Sequence, residues 1–136
     1  MMNGKTIEKR GKLKILVVDD QSGMRETLSD ILQDAGYIVE AAGDGYCAIK
    51  KAGKQFFDII LMDVIMPGIN GVEAIKEIKK TNKQTKFILM TAYSAETLIN
   101  EALKLGIYKY INKPFPPEQI ISILENINKN KTKNDE

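Results

Sequence analysis

The sequence contains no histidine and no tryptophan, and its only cysteine is Cys47. Without an imidazole, the chain cannot build a Ser-His-Asp triad or a histidine-ligated zinc site. It can be neither a histidine kinase nor a histidine phosphotransfer protein. A single cysteine cannot form an internal disulfide or a cysteine-rich metal cluster, which is typical of proteins of the reducing cytoplasm. Any chemistry must therefore use carboxylate, hydroxyl, lysine or main-chain groups.

Long hydrophobic runs are also missing, since none exceeds the four residues of Ile15–Val18. This excludes a membrane-spanning helix and the core of a secretory signal peptide. The 136 residues correspond to one ordinary domain, and 43% hydrophobic with 28% charged residues is typical of a globular protein. We therefore expect a single cytoplasmic domain without a membrane partner.

Positive charge is scarce in the body of the chain. The net charge is +2, of which residues 1–12 contribute +3 and residues 127–136 contribute +1, leaving −2 for the residues between them. A nucleic-acid-binding domain usually concentrates basic residues on its folded surface. The pattern favours solvated basic ends and no direct contact with nucleic acid.

Five short apolar stretches alternate with segments in which apolar residues recur at helical spacing. The predicted strands are Lys14–Val18, Tyr37–Ala42, Asp58–Asp63, Lys86–Thr91 and Tyr108–Asn112. The predicted helices include Met24–Ala35, Ala48–Ala52, Gly71–Lys80, Ala95–Leu105 and Pro116–Ile127. Gly36 and Gly106 are suited to ending helices, and Asp44 can cap the second one. The alternation predicts an α/β fold whose parallel sheet carries helices on both faces.

Polar residues with chemical potential stand where the predicted strands end. They are Asp19 and Asp20 after the first strand, Asp63 at the third, Thr91 at the fourth and Lys113 after the fifth. Each alone could be a helix cap or a surface group, but carboxyl ends of parallel strands meet at one edge, where ligands bind. Two of these carboxylates 4 Å apart would repel by about 4 kcal/mol at an effective dielectric constant of 20. A bound Mg²⁺ would relieve that repulsion.

Four segments together resemble the receiver domain of two-component response regulators. They are VVDD at 17–20, LMDVIMPGING at 61–71, MTAY at 90–93 and INKPF at 111–115. The similarity is greatest to single-domain regulators of the sporulation-phosphorelay and chemotaxis types. It implies a flavodoxin-like (βα)5 fold with strand order 2-1-3-4-5, a receiver over residues 12–127, a flexible basic extension over 1–11 and a polar tail over 128–136.

The resemblance also implies a role for each residue at the strand ends. Asp63 would be the phosphoacceptor. Mg²⁺ would be bound directly by Asp20, Asp63 and the main-chain carbonyl of Ile65, and through water by Asp19. Thr91 and Lys113 would hold phosphoryl oxygens. Ile65, Ala92 and Tyr93 would form the rim of the pocket.

Three further residues have roles that the sequence leaves open. Tyr110 is either a half-buried strand aromatic or, as the resemblance implies, the residue that turns inward when Thr91 moves toward the phosphoryl group. Gly71 either allows the tight turn after Met66-Pro67 or is a generic loop glycine. The Lys113-Pro114 bond resembles the family's cis peptide, which would aim the lysine inward.

The partners follow from the resemblance as well. A histidine kinase or a histidine phosphotransfer protein would donate the phosphoryl group, and the chain would be a stoichiometric acceptor rather than an enzyme. A protein effector would bind through helix 4, strand 5 and helix 5 or through helix 1, with the chain a monomer or a weak phosphorylation-dependent dimer. The broad apolar stripes of helices 4 and 5 are either core or part of that face.

Two alternatives remain at this stage. The first is a phosphotransferase of the haloacid-dehalogenase type, which also uses an aspartyl phosphate but places its nucleophile in an Asp-x-Asp arrangement after strand 1. The second is a receiver fragment of a DNA-binding regulator.

Overall fold

The computed structural model describes residues 13–92 and 95–135, with side chains up to residue 130. Strands and helices alternate throughout this part of the chain. The strands are β1 Lys14–Val18, β2 Ile38–Ala42, β3 Ile59–Asp63, β4 Lys86–Thr91 and β5 Lys109–Asn112. The helices are α1 Ser22–Asp34, α2 Gly45–Lys54, α3 Gly71–Lys79, α4 Glu96–Lys104 and α5 Pro117–Asp135. The predicted basic extension over 1–11 lies outside the described residues.

The five strands form one parallel sheet in the order β2-β1-β3-β4-β5, which confirms the predicted fold class and strand order. The chain adds β2 on one side of β1 and then returns to place β3 on the other side. The connections that leave the carboxyl ends of β1 and β3 therefore run in opposite directions, and a crevice opens between them at that edge of the sheet. Asp19 and Asp20 follow β1, and Asp63 is the last residue of β3.

Side chains that alternate along the strands supply two separate cores. Leu16 and Val18 pack with residues of α2, α3 and α4, whereas Ile15 and Val17 pack with residues of α1 and α5. All five residues of β3 are buried, because helices cover both faces of this central strand. The same alternation places residues at the strand ends on one face or the other.

Helix ends account for most differences from the predicted boundaries. Gly36 and Gly106 have φ values of 100° and 85°, as expected for glycines that end helices. The Tyr37 N–H donates to the Leu32 carbonyl at 3.1 Å, so Tyr37 completes the end of α1 and β2 begins one residue later. Asp44 caps α2 as predicted, accepting from the Cys47 N–H at 2.8 Å.

The last helix is longer than its apolar pattern indicated. Ile127 is its last buried hydrophobic residue, yet α5 continues to Asp135. Main-chain hydrogen bonds can extend a helix through polar residues such as lysine and asparagine. In the described part of the chain, no helix is both long enough and apolar enough to span a membrane.

The broad apolar stripes of the last two helices have different explanations. Ile123 and Leu124 of α5 are buried, so that stripe belongs to the core. On α4, Ile99 is buried but Leu103 is 51% exposed. Tyr108 and Tyr110, which follow α4 in the chain, are also exposed, so this stripe is not explained by the core alone.

Candidate functional site

Three carboxylates converge at the carboxyl ends of β1 and β3, as predicted. Asp19, Asp20 and Asp63 each offer an oxygen atom, and these atoms lie within 4.8 Å of one another. Asp19 is fully buried and Asp63 is nearly so, whereas Asp20 is exposed to solvent. The group therefore has a buried interior and an open side.

Lys113 reaches into this group from the segment after β5. Its Nζ lies 2.9 Å from Asp19 Oδ2 and 3.2 Å from Asp63 Oδ2. The Lys113 N–H donates to the Thr91 carbonyl at 2.7 Å, which ties its main chain to the end of β4. The Lys113-Pro114 peptide bond is cis, in agreement with the expectation from the sequence. One ammonium group thus lies between two of the three carboxylates.

Charge in the site is only partly balanced. Burial raises the pKa of Asp63, and although Lys113 lowers it, the nearby Asp19 raises it further, so the net shift is upward. Burial alone would lower the pKa of Lys113, but its hydrogen bond to Asp19 and its attraction to Asp63 outweigh burial and raise it. The charged form of Lys113 is therefore favoured, whereas the ionised form of Asp63 is disfavoured in the absence of a further cation. Three carboxylate oxygens with a surplus of negative charge are a donor set suited to a small, hard divalent cation.

Thr91 and Tyr110 border a separate opening beside the carboxylates. Both line an open cavity together with Ala95, Ile99 and Asn112. Thr91 is buried, and its Oγ1 donates to the Ala92 carbonyl at 2.6 Å, while Tyr110 is 41% exposed. These two residues share the α4 face of the sheet because each alternates with a residue of the opposite core, Met90 or Ile111.

The predicted rim residues are exposed where the structure describes them. The Ile65 side chain is 58% exposed two residues after Asp63, and Ala92 is exposed directly after β4. Tyr93, the third rim residue, lies outside the described residues. An exposed Ile65 leaves an apolar side chain beside the entrance to the carboxylates.

The interpretation of Gly71 as a turn residue is wrong. Gly68 has the positive φ value, 82°, and so makes the turn after Met66-Pro67. A Cβ at Gly71 would instead lie 2.5 Å from the Asp63 carbonyl oxygen and 3.0 Å from Met62 Cγ. Gly71 is required because the first turn of α3 packs directly against the end of β3.

Replacing Gly71 with alanine should therefore destabilise the protein. Overpacking of this kind typically costs about 1–3 kcal/mol, and here it would displace the main chain that carries Asp63. Gly23 is the matched control, because it is also helical and a Cβ there would meet no atom within 4 Å. Urea denaturation should show a loss for Gly71→Ala and no loss for Gly23→Ala. Equal stabilities of Gly71→Ala and the wild type would contradict the packing argument.

Two contacts that hold Asp19 were not predicted from the sequence. Asp19 Oδ1 accepts from the Gln21 N–H at 2.9 Å, which is an aspartate-headed turn that the residue type allows. The Arg25 Nη1 donates to the main-chain carbonyl of Asp19 at 2.7 Å. No residue spacing signals a bond from a long side chain to a carbonyl.

A third missed feature is the capping box of Asn70 and Glu73 at α3, which the Asn-x-x-Glu spacing could have revealed.

Comparison with known proteins gives a family match over most of the chain. Residues 15–125 match the model of the response regulator receiver domain. The chemotaxis protein CheY of Thermotoga maritima is 38% identical over 117 residues, which cover 85% of this chain and 98% of the relative. Sporulation initiation phosphotransferase F of Bacillus subtilis is 36% identical over 107 residues, covering 79% of this chain and 86% of the relative.

Solved structures agree with the sequence relatives. A CheY-like response regulator receiver domain protein from Methanospirillum hungatei superposes with a TM-score of 0.85 at 27% identity, covering 90% of this chain and 98% of that one. The carboxylates of Asp19, Asp20 and Asp63 and the ammonium of Lys113 come from the segments that resemble receivers in sequence. The chain belongs to the response regulator receiver domain family.

Proposed function

We propose that this chain is a phosphoacceptor of two-component signalling, with Asp63 receiving the phosphoryl group from a phosphohistidine. The donor is a histidine kinase or a histidine phosphotransfer protein of the cytoplasm. The observation that carries the proposal is the position of the Asp63 carboxylate, within 4.8 Å of two other carboxylates and 3.2 Å from the Lys113 ammonium. The chain acts once per phosphoryl group and is not proposed as a turnover enzyme.

The transfer step uses Asp63 as a nucleophile. One carboxylate oxygen attacks phosphorus and forms a C–O–P link, while the P–N bond to the donor imidazole breaks. The imidazole nitrogen leaves with the bonding electron pair and takes up a proton. Phosphoryl transfer has a loose transition state, so the protein contributes mainly by positioning groups and offsetting negative charge.

Three groups of the chain and a bound divalent cation can offset that charge. The Lys113 ammonium already contacts the Asp63 carboxylate, and it can shift to contact an oxygen of the incoming phosphoryl group. The Thr91 hydroxyl and the Ile65 N–H, which bonds to the Asp63 carboxylate, can donate to the other oxygens. Mg²⁺ held directly by Asp20, Asp63 and the Ile65 carbonyl, and through water by Asp19, would supply further positive charge.

The response to phosphorylation is proposed to run through Thr91 and Tyr110. The Thr91 hydroxyl would leave the Ala92 carbonyl for the phosphoryl group, and Tyr110 would turn from its exposed position into the adjoining cavity. This turn would change the face formed by α4, β5 and α5, where Leu103 and Tyr108 are exposed. A protein effector binds there or at α1, and the chain is a monomer or a weak phosphorylation-dependent dimer.

The proposal is tested by incubating the full chain with acetyl phosphate and Mg²⁺. Intact-mass spectrometry should show the addition of one phosphoryl group, and a chelator of divalent cations should prevent it. A phosphotransfer profile against the histidine kinases of the host would then identify the donor. Absence of any phosphorylated species in both assays would reject the function.

The haloacid-dehalogenase alternative is not favoured. Asp19 and Asp20 are adjacent, whereas that chemistry needs the Asp-x-Asp arrangement after strand 1. The family match covers residues 15–125 and includes the segment around Asp63.

We expect the phosphorylated chain to persist for minutes or longer. Hydrolysis needs a water held in line with the Asp63–phosphorus bond, and the exposed Ile65 side chain at the entrance cannot hydrogen-bond to it. An asparagine could orient that water, so Ile65→Asn should speed loss of the phosphoryl group about tenfold, equivalent to roughly 1.4 kcal/mol in the barrier. The decay is measured with Mg²⁺ present and all donors removed.

Ile38→Asn is the matched control for this change. Ile38 is also an exposed isoleucine, at 53%, but it begins β2 at the other edge of the sheet. Its replacement should leave the decay unchanged. Decay of the wild type within seconds, or no acceleration in Ile65→Asn, would contradict the assignment of Ile65 to the rim.

A further inference from the structure

Arg25 of α1 contacts the main chain that carries the acidic pair. Its Nη1 donates to the Asp19 carbonyl at 2.7 Å, and this carbonyl belongs to the peptide group joining Asp19 to Asp20. We infer that Arg25 is a positioning residue that sets the direction of the Asp20 carboxylate, an inference that rests on the proposed function. Arg25 itself is not proposed to touch the phosphoryl group.

The two aspartates are held in different ways. The Asp19 N–H donates to the Ala42 carbonyl at 3.2 Å, and the Asp19 side chain is held by the Gln21 N–H and Lys113. These contacts orient Asp19 on the inner side of the site. Asp20 is exposed, so its carboxylate direction follows from the rotation of the peptide group that precedes it. The Arg25 bond restrains that rotation.

The guanidinium of Arg25 is itself held in place by the end of β2. A Cβ built on Gly43 would lie 3.2 Å from Arg25 Nη1 and 3.6 Å from Cζ, so the planar group lies against the Gly43 α-carbon. Gly43 directly follows Ala42, the residue that accepts from the Asp19 N–H. Arg25 therefore links the ends of β1 and β2, and a planar guanidinium suits this contact better than an alkylammonium.

The charge of Arg25 and its positioning role predict opposite effects of its removal on the affinity for Mg²⁺. Removing a positive charge near three carboxylates should strengthen their attraction for a cation. Removing a restraint on a ligand should weaken binding, because partners that orient metal ligands are typically worth about 10–100-fold in affinity. The sign of the change in Mg²⁺ affinity therefore separates the two effects.

The test is titration calorimetry of the full chain with Mg²⁺ alone, without a phosphodonor. Arg25→Met should weaken binding by roughly tenfold, at the low end for such partners because the restraint acts through the main chain. Arg25→Lys keeps a donor without the planar guanidinium and should recover part of the affinity. Lys50→Met removes an equal charge from an exposed position on α2 and should bind as the wild type does. Arg25 is partly exposed, and thermal unfolding without metal checks that each variant is folded.

The outcomes distinguish the inference from the function on which it rests. Equal or tighter Mg²⁺ binding by Arg25→Met, with normal binding by the wild type, would overturn the positioning role alone. Arg25→Lys binding as weakly as Arg25→Met would overturn it too, because the retained donor would then have no effect. A wild-type chain that binds no Mg²⁺ would remove the inference and the metal-dependent function together.

Discussion

Replacement of Asp63 by asparagine should abolish phosphorylation by acetyl phosphate while leaving the fold intact. The amide keeps the size of the side chain but lacks the anionic oxygen that attacks phosphorus. Burial raises the pKa of Asp63, which means that its ionised form is held at a cost in free energy. The neutral variant should therefore melt at a temperature no lower than that of the wild type in buffer without divalent cations. Lys113 keeps Asp19 as a partner at 2.9 Å.

Intact-mass spectrometry after incubation with acetyl phosphate and Mg²⁺ checks this expectation. Asp30→Asn, an equivalent change at an exposed position of α1, should be phosphorylated like the wild type. Undiminished phosphorylation of Asp63→Asn would mean that another carboxylate is the acceptor. A large fall in its melting temperature would instead show that the negative charge of Asp63 supports the fold.

Removal of Asp20 and removal of Asp19 should have separable effects. Asp20 is exposed, so Asp20→Ala should leave the melting temperature unchanged. It should reduce Mg²⁺-dependent phosphorylation by about a hundredfold, the upper end of the loss typical for residues that only orient a ligand, because a direct ligand contributes more. Asp19 is buried and bonded to Lys113 and the Gln21 N–H. Asp19→Ala should therefore cost about 1–3 kcal/mol of stability, because the Gln21 N–H loses its acceptor and Lys113 keeps only one of its two carboxylate partners.

Thermal unfolding and initial rates of phosphorylation at several Mg²⁺ concentrations measure the two effects. High Mg²⁺ should restore Asp19→Ala more fully than Asp20→Ala, since a contact through water contributes less than direct coordination. Equal Mg²⁺ dependence of Asp20→Ala and the wild type would exclude Asp20 as a ligand. If high Mg²⁺ restored Asp20→Ala more fully than Asp19→Ala, Asp19 would be the direct ligand and Asp20 would act through water.

Most of the fold was predictable because its determinants are local. The apolar runs of β1, β3 and β4 reflect burial on both faces, and the glycines at 36 and 106 mark helix ends. The start of β2 was missed because Tyr37 completes the end of α1 through its N–H, which apolar spacing does not report. The length of α5 was missed because no apolar residue follows Ile127, whereas the helix continues to Asp135.

The convergence of the candidate site was predictable for a topological reason, since residues that follow parallel strands must meet at one edge. Contacts that depend on side-chain reach or close approach were not. Arg25 donates to a main-chain carbonyl, and no sequence pattern reports such a partner. Gly71 is needed because it packs against the carbonyl of Asp63, a residue eight positions earlier in the chain. The turn itself belongs to Gly68, whose φ value is positive.

The edge of the sheet at the carboxyl ends of the strands and the edge at their amino ends differ in how well they tolerate an inserted domain. Asp19, Asp63 and Lys113 all lie at the carboxyl edge, whereas connections that lead from helices into strands lie at the other. Lys83 and Gln84, between α3 and β4, are exposed on that second edge. Exposed connections of this kind are where proteins best tolerate inserted domains. A reporter domain inserted at this connection should leave the acceptor chemistry at the carboxyl edge intact.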